Sequence, residues 1–151
     1  ATGSLDGTIE VVAAYTKVNL CKFNAYNQLR SIVFHPRNEE IFYAASVDDA
    51  IRKYNITNCS MLVENSVGGS VNVMDINDDG LFLVYGTYEG HVGKIDENLT
   101  TNSLTSKPHL LTVMYLFMLY HDIYLTIGDD NAAILWNSGN NIFKFESLSP
   151  K

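Results

Sequence analysis

Residues 127–137, which read IGDDNAAILWN, decide the fold because their pattern recurs upstream. Trp136 is preceded by an acid, Asp130, at a distance of six residues and by a small residue, Gly128, at a distance of eight. The same three-position pattern occurs three more times, ending at Val12, Tyr54 and Ile95. The four copies lie 41 or 42 residues apart. A repeat period of roughly 20 to 50 residues is typical of solenoids and propellers.

The acid and the small residue are shared by all four copies. The acids are Asp6, Asp48, Glu89 and Asp130, and the small residues are Ser4, Ser46, Thr87 and Gly128. Recurring acids invite a comparison with metal sites, but each of these falls on a different repeat and in a turn between strands. Asp side chains in turns commonly accept hydrogen bonds from the nearby backbone. We therefore expect the four acids to stabilise turns.

The segments between these positions are short, β-branched and aromatic, and Gly, Asn and Asp turns separate them, which indicates many short strands. Residues 41–46, for example, are nearly all apolar and predict a strand that is buried on both faces. Four strands fit each period, as in a propeller blade. The predicted units of this single repeat domain, residues 1–151, are 1–23 (incomplete), 29–65, 71–106 and 109–146.

The sequence therefore predicts an all-β fold, a β-propeller of four-stranded antiparallel blades with about three complete blades plus part of a fourth. A closed propeller usually needs roughly four to eight blades. An open stack leaves apolar faces and strand edges uncovered at both ends. We expect the chain to be a segment of a larger propeller, and closure by self-association is the alternative.

The repeats resemble those of the WD40-repeat family. Besides residues 127–137, the resemblance rests on residues 4–13 (SLDGTIEVVA), 34–55 (FHPRNEEIFYAASVDDAIRKYN) and 86–96 (GTYEGHVGKID). The repeats are degenerate: no Gly-His pair precedes the first strand of any unit, and only Trp136-Asn137 approaches the family's Trp-Asp pair. We therefore expect the Asp–His–Ser/Thr–Trp hydrogen-bond network that braces many blades of this family to be incomplete here.

Composition restricts the classes of partner. The net charge of −7 and the pI of about 4.9 argue against nucleic-acid binding, which needs clustered Lys and Arg. No apolar run reaches the roughly 18 residues of a membrane-spanning helix, so membrane insertion is not expected. Cys21 and Cys59 are too few for a disulfide framework or a zinc site, and we interpret them as reduced thiols of an intracellular protein. The expected location is the cytoplasm, with cytoskeletal, ciliary or nuclear sites as alternatives.

No local motif carries catalysis or cofactor binding. The four histidines show no metal-ligand spacing, and the pair at residues 121–122 only resembles a fragment of a metal-phosphohydrolase motif. Residues 78–80 look like the start of a calcium loop but lack its later ligands. The glycines at 68–69 lack the Lys of a phosphate-binding loop. The sequence predicts no catalytic, cofactor-binding or metal residue, and no small-molecule ligand.

The WD40 resemblance implies a non-enzymatic scaffold that binds other proteins within a multiprotein complex. Rigid blades hold turns in fixed places, and an acidic surface favours basic partners. The candidate interaction rim consists of turn residues Arg37, Asn38, Asp78, Asp79, Tyr88, His121 and Asp122. Narrower resemblances are to dynein intermediate-chain propellers and to histone-peptide-reading propellers. The rivals are an enzyme with its site at the central channel and a metal-dependent carbohydrate or calcium module.

Overall fold

In the computed structural model, which describes residues 1–104 and 107–146, strands and turns form four antiparallel sheets. Sheet A contains β1 (Thr2–Gly3), β2 (Thr8–Val12) and β3 (Asn19–Asn24). Sheet B contains β4 (Leu29–Phe34), β5 (Ile41–Ser46), β6 (Ala50–Asn55) and β7 (Ser60–Ser66). Sheet C contains β8 (Val71–Ile76), β9 (Phe82–Thr87), β10 (Val92–Asp96) and β11 (Asn102–Leu104). Sheet D contains β12 (Val113–Tyr120), β13 (Ile123–Gly128), β14 (Ala132–Asn137) and β15 (Asn140–Glu146).

The strands of each sheet lie side by side in chain order, which is the arrangement of a propeller blade. The predicted all-β fold of four-stranded blades is confirmed: sheets B, C and D have four strands and sheet A has three. The sheets do not close into a ring, so the fold is a partial propeller. No helix in the described part of the chain is long and apolar enough to cross a membrane.

The first strands of successive sheets, β1, β4, β8 and β12, adjoin one another and form the inner side of the stack. Side chains hold them together: the Ser31 hydroxyl donates to the Met74 carbonyl at 3.2 Å, and the Met118 amide donates to Asp75 Oδ2 at 2.9 Å. In sheets B, C and D the inner strand also has a register shift at the same place, at residues 29–31, 71–73 and 113–115. The repeat therefore extends to local irregularities of the backbone.

Three apolar clusters fill the spaces between the four sheets. Ile9 and Phe23 of sheet A pack with Phe42 and Tyr54 of sheet B. The next two clusters join sheet B to sheet C and sheet C to sheet D. The strand at residues 41–46 is buried along its whole length, as predicted, because it has a neighbouring sheet on both faces. Interblade burial of this kind is the main stabilising contribution here, because the described residues include no helix that covers the sheets.

The interpretation of the two cysteines as reduced thiols is wrong. Cys21 on β3 and Cys59 in the β6–β7 turn form a disulfide, with their Cα atoms 5.5 Å apart. The bond joins the outer strand of sheet A to sheet B across 38 residues of sequence. Two isolated cysteines suggested no framework, but the stacking of consecutive blades brings them together.

Candidate functional site

A network of buried polar side chains in sheet D begins in the loop before β12. His109, which is fully buried, contacts Thr126 Oγ1 through Nε2 at 2.9 Å and Asp130 Oδ1 through Nδ1 at 3.1 Å. The Trp136 indole N–H donates to the same Thr126 hydroxyl at 2.9 Å. The chain Trp136–Thr126–His109–Asp130 is thus continuous. With a neutral imidazole protonated at Nδ1, each of its buried polar groups has a partner.

This network corrects the expectation that the Asp–His–Ser/Thr–Trp bracing of the blades is incomplete. It is complete in sheet D, where Pro-His at residues 108–109 takes the place of the missing Gly-His pair. His109 lies in the loop that enters β12, and this loop places the imidazole. Gly128 is part of the same arrangement, because a Cβ there would overlap His109 Nδ1 and Asp130 Oδ1. The small residue of the fourth repeat is therefore the one that makes room for the histidine ring.

Asp130 also holds the backbone of two segments. It accepts hydrogen bonds from the Leu110 amide at 2.7 Å and from the Ala132 amide at 3.2 Å. Burial by itself would raise the pKa of Asp130, but the hydrogen bonds from Leu110, His109 and Ala132 outweigh it and lower the pKa below its ordinary value. The residue fastens the loop before β12 to the β13–β14 turn.

Sheet B uses a different set of side chains at the equivalent place. The buried guanidinium of Arg52 donates to Ser46 Oγ at 2.8 Å and to Asp48 Oδ2 at 2.7 Å, and its Nε donates to Glu64. Desolvation opposes the charge of Asp48, yet hydrogen bonds from Arg52 and Ser46 lower its pKa overall. In the second repeat the recurring small residue and acid thus accept hydrogen bonds from an arginine. In the fourth repeat the recurring acid contacts a histidine instead.

The other two recurring acids have fewer contacts. Asp6 Oδ1 accepts from the Thr8 amide at 2.8 Å, and this bond is the main reason that the pKa of Asp6 is lowered. Glu89 is exposed in the β9–β10 turn, with its carboxylate near Gly69. The stabilising role of the four acids stays a prediction, which the contacts of Asp6, Asp48 and Asp130 support.

Three residues of the candidate rim come together at one edge of the stack. Asp78 and Asp79 lie in the β8–β9 turn and His121 lies in the β12–β13 turn, and their ligand atoms are within 4.8 Å of one another. His121 Nδ1 is 3.8 Å from Asp78 Oδ1, and both side chains are more than half exposed. Beside them is a cavity of about 210 Å³ lined in part by Asp75 and Tyr120. In the described chain this is the one group of three or more potential metal ligands.

The cluster of Asp78, Asp79 and His121 has little capacity to bind a metal ion. The Asp79 carboxylate already accepts hydrogen bonds from Asn77 Nδ2 and from the Leu81 amide at 3.1 Å, so it caps its own turn. Asp78 and His121 are exposed to water, where an ion pair contributes at most about 1 kcal/mol. The cluster is best described as a polar surface at which adjacent blades meet.

The remaining rim residues are distributed more widely. Arg37 and Asn38 are exposed in the β4–β5 turn, and Asn38 accepts from the Glu40 amide at 3.1 Å. Asp122 follows His121 but pairs with Lys94 of sheet C at 2.9 Å, and this bond is the main cause of its lowered pKa. Tyr88 lies in the β9–β10 turn at the opposite ends of the strands, where the Arg30 guanidinium is 5.1 Å from the centre of its ring.

Sequence reasoning missed His109, Arg52 and Lys94, which fasten neighbouring segments to one another. For Lys94 the sequence contained an indirect indication, because Lys94 and Lys53 occupy the same place in the repeat, directly before Ile95 and Tyr54. The buried tyrosines take part in packing rather than in chemistry. Desolvation raises the pKa of Tyr124 to about 12, so its phenol stays protonated at neutral pH.

Comparisons with known proteins agree with this geometry. The chain is similar to WD repeat-containing protein 44 of Xenopus laevis, with 27% identity over 92 residues, which are 59% of this chain and 10% of that protein. No family model matches the chain. The chain thus aligns with about a tenth of the length of this curated relative. The similarity to a WD-repeat protein, the stacked antiparallel blades and the Asp–His–Thr–Trp network together fit a WD40-like partial propeller.

Proposed function

We propose that the chain is a non-enzymatic scaffold that binds partner proteins through its exposed turns, as a subunit of a larger complex. The observation that carries the proposal is the contrast, within each blade, between the buried strands and the turns at the surface. Buried apolar strands and interblade bonds fix the stack, while the turns at its two edges keep residues at the surface and vary in sequence from blade to blade. Variable turns on a fixed framework are a common arrangement for protein recognition.

The edge that carries Asp78, Asp79 and His121 is the better candidate for the partner surface. Here the turns of sheets C and D contact one another, so a partner meets a continuous surface made by two blades. Its carboxylates and the net charge of −7 favour a basic partner, chiefly through the encounter rate and specificity. The similarity to a WD-repeat protein supports a role in protein interaction.

The proposal is tested on the native protein recovered with its partners. Asp78→Lys reverses an exposed charge whose Oδ1 is 3.8 Å from His121 Nδ1, so it alters the surface without removing a buried contact. Asp129→Lys is the matched control, since Asp129 is also exposed but lies in the β13–β14 turn. We expect Asp78→Lys to weaken recovery of partner proteins by about tenfold or more and Asp129→Lys to leave it unchanged. Equal recovery with both variants would contradict the assignment of this edge.

A further inference from the structure

The junction between sheets A and B lacks the polar side-chain contacts that join the other sheets. Between sheets B and C the Tyr43 hydroxyl donates to the Glu97 carbonyl at 2.9 Å, and between sheets C and D Lys94 pairs with Asp122 at 2.9 Å. Apart from contacts of the two cysteine sulfurs, the described residues include no side-chain hydrogen bond or ion pair between sheets A and B. An apolar cluster and the disulfide hold this junction instead.

The two sulfurs of the disulfide differ in their access to solvent. Cys59 is exposed in the β6–β7 turn, whereas Cys21 is 4% exposed. A thiol in solution therefore reaches Cys59 Sγ and not Cys21 Sγ. Cys21 Sγ lies 2.9 Å from the Ile56 carbonyl oxygen, so a thiol group formed at Cys21 has a hydrogen-bond acceptor in place. The closed junction thus accommodates the two reduced cysteines as well as the disulfide.

The β10–β11 turn shows how a similar turn is fastened where no cysteine is present. Leu99 in this turn has a left-handed backbone with φ of 56°, like Cys59 with φ of 51°. Leu99 is 2% exposed, and its side chain belongs to the apolar cluster between sheets B and C. That turn is therefore held by burial, which no reductant reverses. The exposed Cys59 contributes little burial, so its bond to Cys21 is what fastens the β6–β7 turn to sheet A.

Sheet A has little stability of its own. It has three strands, the longest of which is six residues long. One face packs on sheet B through apolar side chains, and the other carries the polar side chains of Thr8, Glu10, Lys22 and Asn24. A sheet of this size keeps its strands ordered only while its apolar face is packed on another layer. The attachment to sheet B therefore decides whether sheet A is ordered.

The closed junction also buries a hydroxyl group that has no partner. Phe42 and Tyr54 of sheet B stack with their ring centroids 4.9 Å apart, and Phe23 of sheet A lies against both rings. Phe42 and Tyr54 are 0% and 1% exposed. The Tyr54 hydroxyl has no hydrogen-bond partner among the described residues. Burial of an unpaired hydroxyl is unfavourable, so water that reaches Tyr54 favours the open junction, and the disulfide opposes this opening.

We propose that the Cys21–Cys59 bond is a redox-controlled fastening of sheet A. A dithiol reductant breaks the bond, and sheet A then separates from sheet B far more often and uncovers Phe42 and Tyr54, while sheets B, C and D stay stacked. One thiolate of the reductant attacks Cys59 Sγ and displaces the Cys21 thiolate, which takes up a proton. The second thiolate then displaces Cys59, so the reductant becomes a cyclic disulfide and its two electrons and two protons end on the two cysteines. The proposed partner surface lies on sheets C and D, so binding there does not depend on this bond.

Hydrogen–deuterium exchange of the native protein with and without dithiothreitol tests the proposal, because exchange rates separate local opening from unfolding of the whole stack. In dithiothreitol we expect the amides of β2 and β3 to exchange about a hundredfold faster than those of β9 and β13, as loss of a disulfide allows. Without dithiothreitol the four strands are expected to agree within about tenfold. Exchange of β2 as slow as that of β9 in dithiothreitol overturns the proposal, because sheet A then opens only with the rest of the stack. A hundredfold difference that is already present without dithiothreitol also overturns it, because the bond then does not control the opening.

A substitution tests the part of the Tyr54 hydroxyl in this opening. Tyr54→Phe keeps the ring and removes the unpaired group, so the closed junction is favoured. We expect β2 of this variant to exchange several times more slowly in dithiothreitol than β2 of the unsubstituted protein. Tyr43→Phe is the matched control, because the Tyr43 hydroxyl donates to the Glu97 carbonyl at 2.9 Å, and its loss is not expected to slow the exchange of β2. An unchanged or faster rate in Tyr54→Phe overturns the role of this hydroxyl, and the unsubstituted protein supplies the first test even if a variant does not fold.

Discussion

Thr126 is the residue on which the polar network of sheet D depends. Its single hydroxyl accepts the hydrogen bond from Trp136 Nε1 and contacts His109 Nε2, and all three side chains are buried. The network therefore couples β13 and β14 to the loop before β12.

Replacing Thr126 by valine keeps the shape and removes the hydroxyl. We expect Thr126→Val to lower the free energy of unfolding by about 2–3 kcal/mol, because two buried ring nitrogens lose their partner. Thr16→Val, at an exposed threonine, is the control and is expected to change stability by less than about 0.5 kcal/mol. Urea unfolding of the two variants measures both values. Equal midpoints for Thr126→Val and the unsubstituted protein would show that the network contributes nothing.

The sequence reveals half of this network. Trp136 and Asp130 are predicted from the repeat, since they occupy fixed positions in it. His109 is not predicted, because it lies in an irregular connection whose length differs between units and because it follows a proline instead of a glycine. Arg52 is missed for another reason: a charged residue on a strand is usually exposed. Its burial becomes apparent only when Ser46 and Asp48 are seen around it.

At the scale of the element, the strands were predictable and the contacts between sheets were not. A period of 41 or 42 residues predicts where each blade recurs, and the apolar run at residues 41–46 predicts a strand with two covered faces. Which segments of different blades touch depends on the stacking of the sheets. The disulfide from β3 to the β6–β7 turn is one such contact, and nothing within either segment indicates it.

The disulfide gives a prediction about the junction of sheets A and B. Cross-linking across 38 residues restricts the unfolded chain, so we expect Cys59→Ser to lower the free energy of unfolding by about 3–4 kcal/mol. Peptide mapping without reductant identifies the bond, and urea unfolding with and without dithiothreitol measures its effect. The Cys21→Ser/Cys59→Ser double variant is the control, since dithiothreitol should not alter its stability. A dithiothreitol-insensitive unsubstituted protein would show that the bond is absent in solution.

At the scale of the whole molecule, carboxylates fasten the turns of successive blades. Asp48 binds Arg52, Asp96 binds the backbone and hydroxyls of Thr100 and Thr101, Asp122 binds Lys94, and Asp130 binds the loop before β12. Desolvation raises the pKa of Asp96 in part, but the hydrogen bonds from Thr101 and Thr100 lower it overall. In the described residues, sheets B, C and D thus each depend on at least one ionised acid for the geometry of their turns.

These lowered pKa values determine how stability depends on pH. A carboxyl group whose folded pKa lies below its unfolded value near 4 contributes its full stabilisation above that unfolded value and loses it as the pH falls toward the folded pKa. We therefore expect the melting temperature to be nearly constant between about pH 7 and pH 5 and to fall steeply below about pH 4. Differential scanning calorimetry across this range makes the measurement. Asp130→Asn should have a lower melting temperature at pH 7, because the backbone amides still reach residue 130 but no longer meet a charged group. Its melting temperature should fall less steeply at acid pH, because the side chain at residue 130 takes up no proton. An acid dependence equal to that of the unsubstituted protein would contradict the assignment of Asp130 to this effect.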